Sequence, residues 1–122
     1  MQKITALLLF LFLLGCVGED DPDDSQQIVY ISTGAIQCES QGMSEQETAQ
    51  RLIDNGIDVI WSTCGFLTGI GVPAVCGAGD IYINLHVINV QNLTDAQALG
   101  FESVDTLKSE RGSGYGILGC EE

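Results

Sequence analysis

The sequence predicts an α+β fold: a small β-α-β-β-α sandwich, with helices on one face of a three- to four-stranded sheet, stapled by two disulfides. Three observations carry this expectation. Short runs rich in β-branched and aromatic residues recur at 28–33, 57–63 and 81–90. A well-capped amphipathic stretch separates the first two runs. Four cysteines, Cys38, Cys64, Cys76 and Cys120, fall within the same domain, residues 27–122.

Each element has its own signal. Residues 28–33, IVYIST, read as the first strand. Ser44-Glu45-Gln46-Glu47 forms a capping box, in which the Ser44 hydroxyl takes the Glu47 amide and the Glu47 carboxylate reaches back. Ala49, Leu52 and Ile53 then share one helical face. Gly56 supplies a left-handed residue just past the end, and Ile57 packs back over the last turn, which predicts a helix over 45–55. Residues 57–63, IDVIWST, form the second strand. A strand, a helix and a strand at this spacing suggest a right-handed crossover, with Trp61 packed under a helix. In 81–90 the apolar Ile81, Ile83, Leu85 and Val87 alternate with Tyr82, Asn84 and His86. One apolar and one mostly polar face fit a sheet covered by helices on one side only. Thr94-Asp95-Ala96-Gln97 reads as a second capping box, opening a turn that stops at Gly100. Ser103 caps a further short helix through about residue 109, and Ile117-Leu118 adds a brief edge strand. The order is a truncated relative of the split βαβ arrangement.

The whole chain has 122 residues, 17 acids and four bases, for a formal charge of −13. Such a length suits one domain. Met1–Lys3 is a short positive segment, and residues 4–14, ITALLLFLFLL, carry no charge. This apolar run falls well short of the ~20 residues that span a bilayer, so residues 1–15 read as a signal peptide. The run ends in Leu13-Leu14-Gly15-Cys16. That ending resembles the lipobox of bacterial lipoproteins, in which a branched apolar residue precedes a small residue and then Cys. Leu14 is bulkier than the residue usual at its place. The resemblance covers the first 16 residues. It implies an acylated Cys16 thiol, cleavage just before it and acylation of the new amino terminus, giving a palmitate-type lipid anchor. Several chains on one residue make a lasting anchor, where one chain holds only marginally. Cysteine counting agrees, because five cysteines less Cys16 leave an even set. Val17 in place of Asp after the Cys implies, in an enteric-type envelope, sorting to the outer membrane facing the periplasm.

Without the leader, 17 acids face three bases, a charge of −14. This excludes tracking of a nucleic-acid backbone, which needs Lys and Arg at phosphate. It also excludes a polybasic membrane patch. Residues 17–27, VGEDDPDDSQQ, hold five acids and one Pro. They lack the Gly and closing Glu of an EF-hand loop. Residues 16–26 therefore read as the lipidated Cys followed by a solvated, self-repelling tether.

No C-x-x-C knuckle occurs, so no metal is expected. Export to an oxidising compartment favours disulfides. Four cysteines allow three pairings. Cys64–Cys76 with Cys38–Cys120 clamps the connection between strands two and three, and Cys38–Cys64 with Cys76–Cys120 is nearly as good. Residues 64–80, CGFLTGIGVPAVCGAGD, contain five Gly and no Lys, which removes a phosphate cradle. Phe66, Leu67, Ile70 and Val72 are more apolar than a solvent loop needs, and Pro73 stiffens them. They are expected to fold back on the sheet, with an exposed contact patch as the alternative.

His86 is the single histidine. A general base needs a nucleophile and an orienter in reach, and the sequence identifies neither, so a surface or helix-covered His is expected. Ser32 and Ser62 lie in no G-x-S-x-G elbow. Asp54, Asp58, Asp80 and Asp105 are scattered and read as solvated charge. Asn92-Leu93-Thr94 matches a glycosylation pattern that means little in a bacterium. The expectation is a membrane-anchored envelope lipoprotein with a small disulfide-bonded binding or structural domain, no catalysis, no cofactor and an envelope protein as partner. The alternative is a periplasmic inhibitor or accessory subunit that uses loop 65–75 to bind a partner enzyme, since a braced loop lowers the ordering cost.

Overall fold

A computed structural model describes residues 24–120; the leader, Cys16, Val17 and most of the acidic tether lie outside the described residues. The elements are β1 (Gln26–Ser32), α1 (Glu45–Asp54), β2 (Val59–Leu67), β3 (Tyr82–Asn89), α2 (Leu93–Ala98), β4 (Glu102–Ser103) and β5 (Tyr115–Ile117). Short 3-10 turns precede α2 and follow β4. The α+β class and the two disulfides are present. The sheet, however, has five strands and not three or four, in the order β4-β1-β3-β2-β5. Every pairing in it is antiparallel. β1 and β2 are not neighbours, because β3 sits between them and pairs with both.

The helix ends follow local chemistry. The Ser44 Oγ accepts from the Glu47 N–H at 3.1 Å, and Glu47 Oε2 accepts from the Ser44 N–H at 2.8 Å, so the capping box is complete. At the other end, Gly56 has φ +80, the Gly56 N–H bonds Ile53 O, and the Ile57 N–H bonds Leu52 O. This double bond pattern ends the helix and turns Ile57 into the core. α2 ends the same way, through Gly100 (φ +98) and the buried Phe101. The expected capping box at Thr94 does not form. α2 starts at Leu93, with Asn92 at the cap position and no side-chain cap bond.

Both faces of the sheet are covered, which corrects the reading of β3. Leu52 and Ile57, with Ala96 and Phe101, pack on Val29 and Ile88 of one face. On the other face Ile83 and Leu85 pack with Val104, and Tyr30, Leu67 and Tyr115 close around them. β3 is the central strand, so its polar residues Asn84 and His86 are buried as deeply as its apolar ones. The polar side of β3 is the side that α1 covers. Trp61 is the converse: it was expected under a helix, yet it is 52% exposed. A register shift between Val59 and Trp61 places it opposite Val87, across the sheet from His86 and the helices. β5 joins late in the chain, where the ring of Phe66 lies so close over Gly116 that any Cβ there would collide with it.

The bridges are Cys38–Cys76 and Cys64–Cys120. This is the third possible pairing, and neither of the two favoured from sequence. Strand order decides it. β1 pairs antiparallel with β3, so the chain leaving β1 and the chain entering β3 share one end of the sheet, and Cys38 meets Cys76. β2 pairs with β5, so Cys64 meets the segment after β5.

Candidate functional site

His86 lies under α1 with no exposed surface. Its Nδ1 is 2.7 Å from Ser62 Oγ on β2, and its Nε2 is 2.8 Å from Thr48 Oγ1 on α1. The ring meets Phe101 edge-on, with centroids 5.8 Å apart. The Thr48 hydroxyl lies 3.2 Å from Glu45 O and 3.4 Å from Ser44 O, both of which only accept. Its proton therefore goes to the helix backbone, and Thr48 Oγ1 accepts from Nε2–H. Nδ1 is then bare and accepts from the Ser62 hydroxyl. Every proton is assigned without an imidazolium. Burial lowers the His86 pKa to about 4, so the ring is neutral near pH 7.

A nucleophile and an orienter are thus both in reach, which the sequence did not reveal. The pair is nonetheless poorly matched to base catalysis, because a base is most useful when its pKa lies near the working pH. The geometry makes the relay a clamp from β2 through β3 to α1. Thr48 carried one faint signal: it stands four residues before Leu52 and so shares that buried helix face.

Beside this clamp runs a groove of about 460 Å³, lined by Met43, Ser44, Cys64, Tyr82, Asn84 and Leu118 among others. Asn84 Nδ2 donates to Met43 O at 3.1 Å and fixes one wall. A Glu45 carboxylate oxygen lies 3.6 Å from Cys64 Sγ. Glu45, Cys64 and Cys120 bring three potential ligand atoms within 4.8 Å of one another. The two sulfurs are bonded to each other, so the set offers no thiolate to a metal.

The proposed contact loop divides. Phe66 and Leu67 belong to β2, and Leu67 packs in the second core, so the loop proper is 68–81. Ile70 and Val75 do not fold back on the sheet; they are 54% and 58% exposed. Pro73 is exposed and Val72 half-buried. The loop is nevertheless braced. Residue Gln37 exchanges backbone bonds with Ala78 and Gly77, and its Nε2 donates to Pro73 O at 2.9 Å and Gly79 O at 3.2 Å. The Cys38–Cys76 bridge closes the same seam. Cys38 takes a φ of +69, a left-handed conformation rare for a residue with a Cβ. Gln37 carried no sequence signal, because its role needs β1 and β3 side by side.

Of the remaining candidates all but Asp58 are locally engaged. Ser32 Oγ accepts from the Gly34 N–H, Asp54 from Gln50 and Asp80 from the Ile81 N–H. Asp105 accepts from Gln27 Nε2 at 3.5 Å, and Asp58 is exposed. No protein-family model, no curated protein and no solved structure matches this chain.

Proposed function

We propose that the protein is an exported lipoprotein, held by a lipid on Cys16 at the outer membrane and facing the periplasm, whose domain binds a partner protein of the envelope without catalysis. One observation carries the binding part. Two large apolar side chains, Ile70 and Val75, stand more than half exposed on a loop that a disulfide and two Gln37 side-chain bonds hold in shape. Exposed apolar groups on a pre-organised loop are suited to contact, because little ordering entropy remains to be lost on binding. The anchor part rests on the leader pattern and on the even cysteine set that remains once Cys16 is set aside.

A photo-crosslinking residue at position 70 in intact envelopes should trap one protein, and Val75→Ser in the same chain should weaken the adduct. Equal labelling from the helix-face position Gln46 would refute the loop as the contact. Mass analysis of the full-length product should show a triacylated residue 16 at the amino terminus. A second reading is favoured by Pro73, which stiffens the loop tip: the partner is an enzyme that the loop inhibits or assists. In that case its activity changes with added domain and is restored by Ile70→Ser with Val75→Ser.

A further inference from the structure

A second concave site lies away from the clamp, where the loop after the second 3-10 turn folds against the end of β2. Its volume is about 570 Å³, larger than the groove beside Cys64. Thr68, Leu107, Ser109, Arg111, Gly112 and Gly114 are among the residues that line it. Among the described residues no carboxylate lines it. That is notable in a chain with 17 acids and four bases. The acids nearest in sequence, Asp105 and Glu110, line an adjoining hollow with Lys108.

The polar side chains of the site are exposed, and the backbone that carries them is held in shape. Ser109 and Gly112 exchange two backbone bonds, of 2.9 and 3.1 Å, which makes Glu110-Arg111 the tip of a tight turn. Gly114 has φ +87, and a Cβ there would strike the Leu107 carbonyl, so glycine alone lets the loop close down on the 3-10 turn. The Thr68 N–H bonds Gly114 O at 2.9 Å and ties the loop to β2. Ser109 Oγ accepts from the Arg111 N–H at 3.3 Å, which leaves its own proton to donate. The Arg111 guanidinium forms no hydrogen bond or ion pair among the described residues.

We propose that this pocket binds a small organic carboxylate. The flat guanidinium fork of Arg111 matches a carboxylate through two parallel bonds. The Ser109 and Thr68 hydroxyls meet the polar body of the ligand, and Leu107 meets its carbon frame. The volume falls in the range of small-molecule sites. A singly charged anion also fits better than a phosphate, because the surrounding acidic surface repels each added negative charge. Two sources carry such a group, an acidic sugar and the free end of a peptide. The pocket takes Thr68 and Gly69 from the base of the contact loop, and neither Ile70 nor Val75 lines it.

The test is an amide-shift titration of the oxidised full-length protein in detergent micelles with glucuronate, N-acetylglycine, glucose and inorganic phosphate. The expected result is a saturable shift of the Gly69 and Gly112–Gly114 amides with glucuronate or N-acetylglycine, with a Kd below ~10 mM. Arg111→Gln should weaken it ~10-fold or more, and Arg111→Lys should recover only part of it. Whichever carboxylate binds more tightly identifies the source. The proposal is overturned by the absence of saturable shifts with either carboxylate, by shifts unaltered in Arg111→Gln, or by tighter binding of phosphate or glucose.

Discussion

Acidifying the protein from about pH 7 to about pH 4 should cost about 3 kcal/mol of folding stability through His86 alone. The ring has no exposed surface, and its contacts are the hydroxyls of Thr48 and Ser62 and the edge of Phe101. None of these neutralises an imidazolium, so burial holds the folded pKa at about 4 against 6.5 for the free ring. The unfolded chain therefore binds the proton more readily than the folded one. The contribution of His86 is complete above 6.5, falls as pH drops from 6.5 to about 4, and is lost below that.

Other groups titrate in the same window, and protonating acids on a chain of charge −13 relieves repulsion. Subtraction of a variant isolates the His86 part. His86→Gln keeps an acceptor towards Ser62 and a donor towards Thr48 without a titrating ring. Urea unfolding followed by far-ultraviolet circular dichroism at several pH values gives stability for both proteins. Their difference should shift by about 3 kcal/mol across the window, against the wild type at low pH. A difference constant within ~0.5 kcal/mol, or a ring titration midpoint above ~6 by nuclear magnetic resonance, refutes the buried neutral clamp.

Three further outcomes follow from the same structure. The bridges close loops with sequence separations of 38 and 56, so replacing either pair with serine should cost about 4 kcal/mol on the chain-entropy account; non-reducing peptide mapping should recover Cys38 with Cys76 and Cys64 with Cys120. Gly114→Ala should destabilise by ~2 kcal/mol or more, because it combines a left-handed φ with a clash at Leu107 O, and hydrogen exchange should rise first at β5. Ser44→Ala removes the Oγ that caps the Glu47 N–H, and thermal unfolding should show a loss of ~1 kcal/mol with the α1 amides exchanging faster.

What was legible in the sequence was local. The Ser44 box, Gly56 with Ile57, the stop at Gly100, and the β-branched runs each encode their element within a few residues, so α1 was placed to within one residue and three strands were found, while the edge strand expected at Ile117-Leu118 lies at Tyr115–Ile117. What escaped depends on which strand lies beside which. Alternation along β3 assigns His86 and Asn84 to a polar face, but alternation says only that two faces differ. A polar face becomes an interior one when the strand is central and its polar atoms have partners, and here the partners are Ser62, Thr48 and Met43 O from other elements. The same unknown governed the cysteines. Reading the β2–β3 connection as a clamped loop draws Cys64 towards Cys76. The antiparallel pairing of β1 with β3 brings Cys76 to Cys38 instead, and the pairing of β2 with β5 leaves Cys64 to the C-terminal segment. Long-range strand pairing thus converts a histidine that reads as surface-exposed or simply helix-covered into a clamp, and a presumed loop staple into a tie for the chain end. Trp61 escaped for a local reason instead, since the register shift after Val59 turns it to the sheet face opposite His86 and the helices.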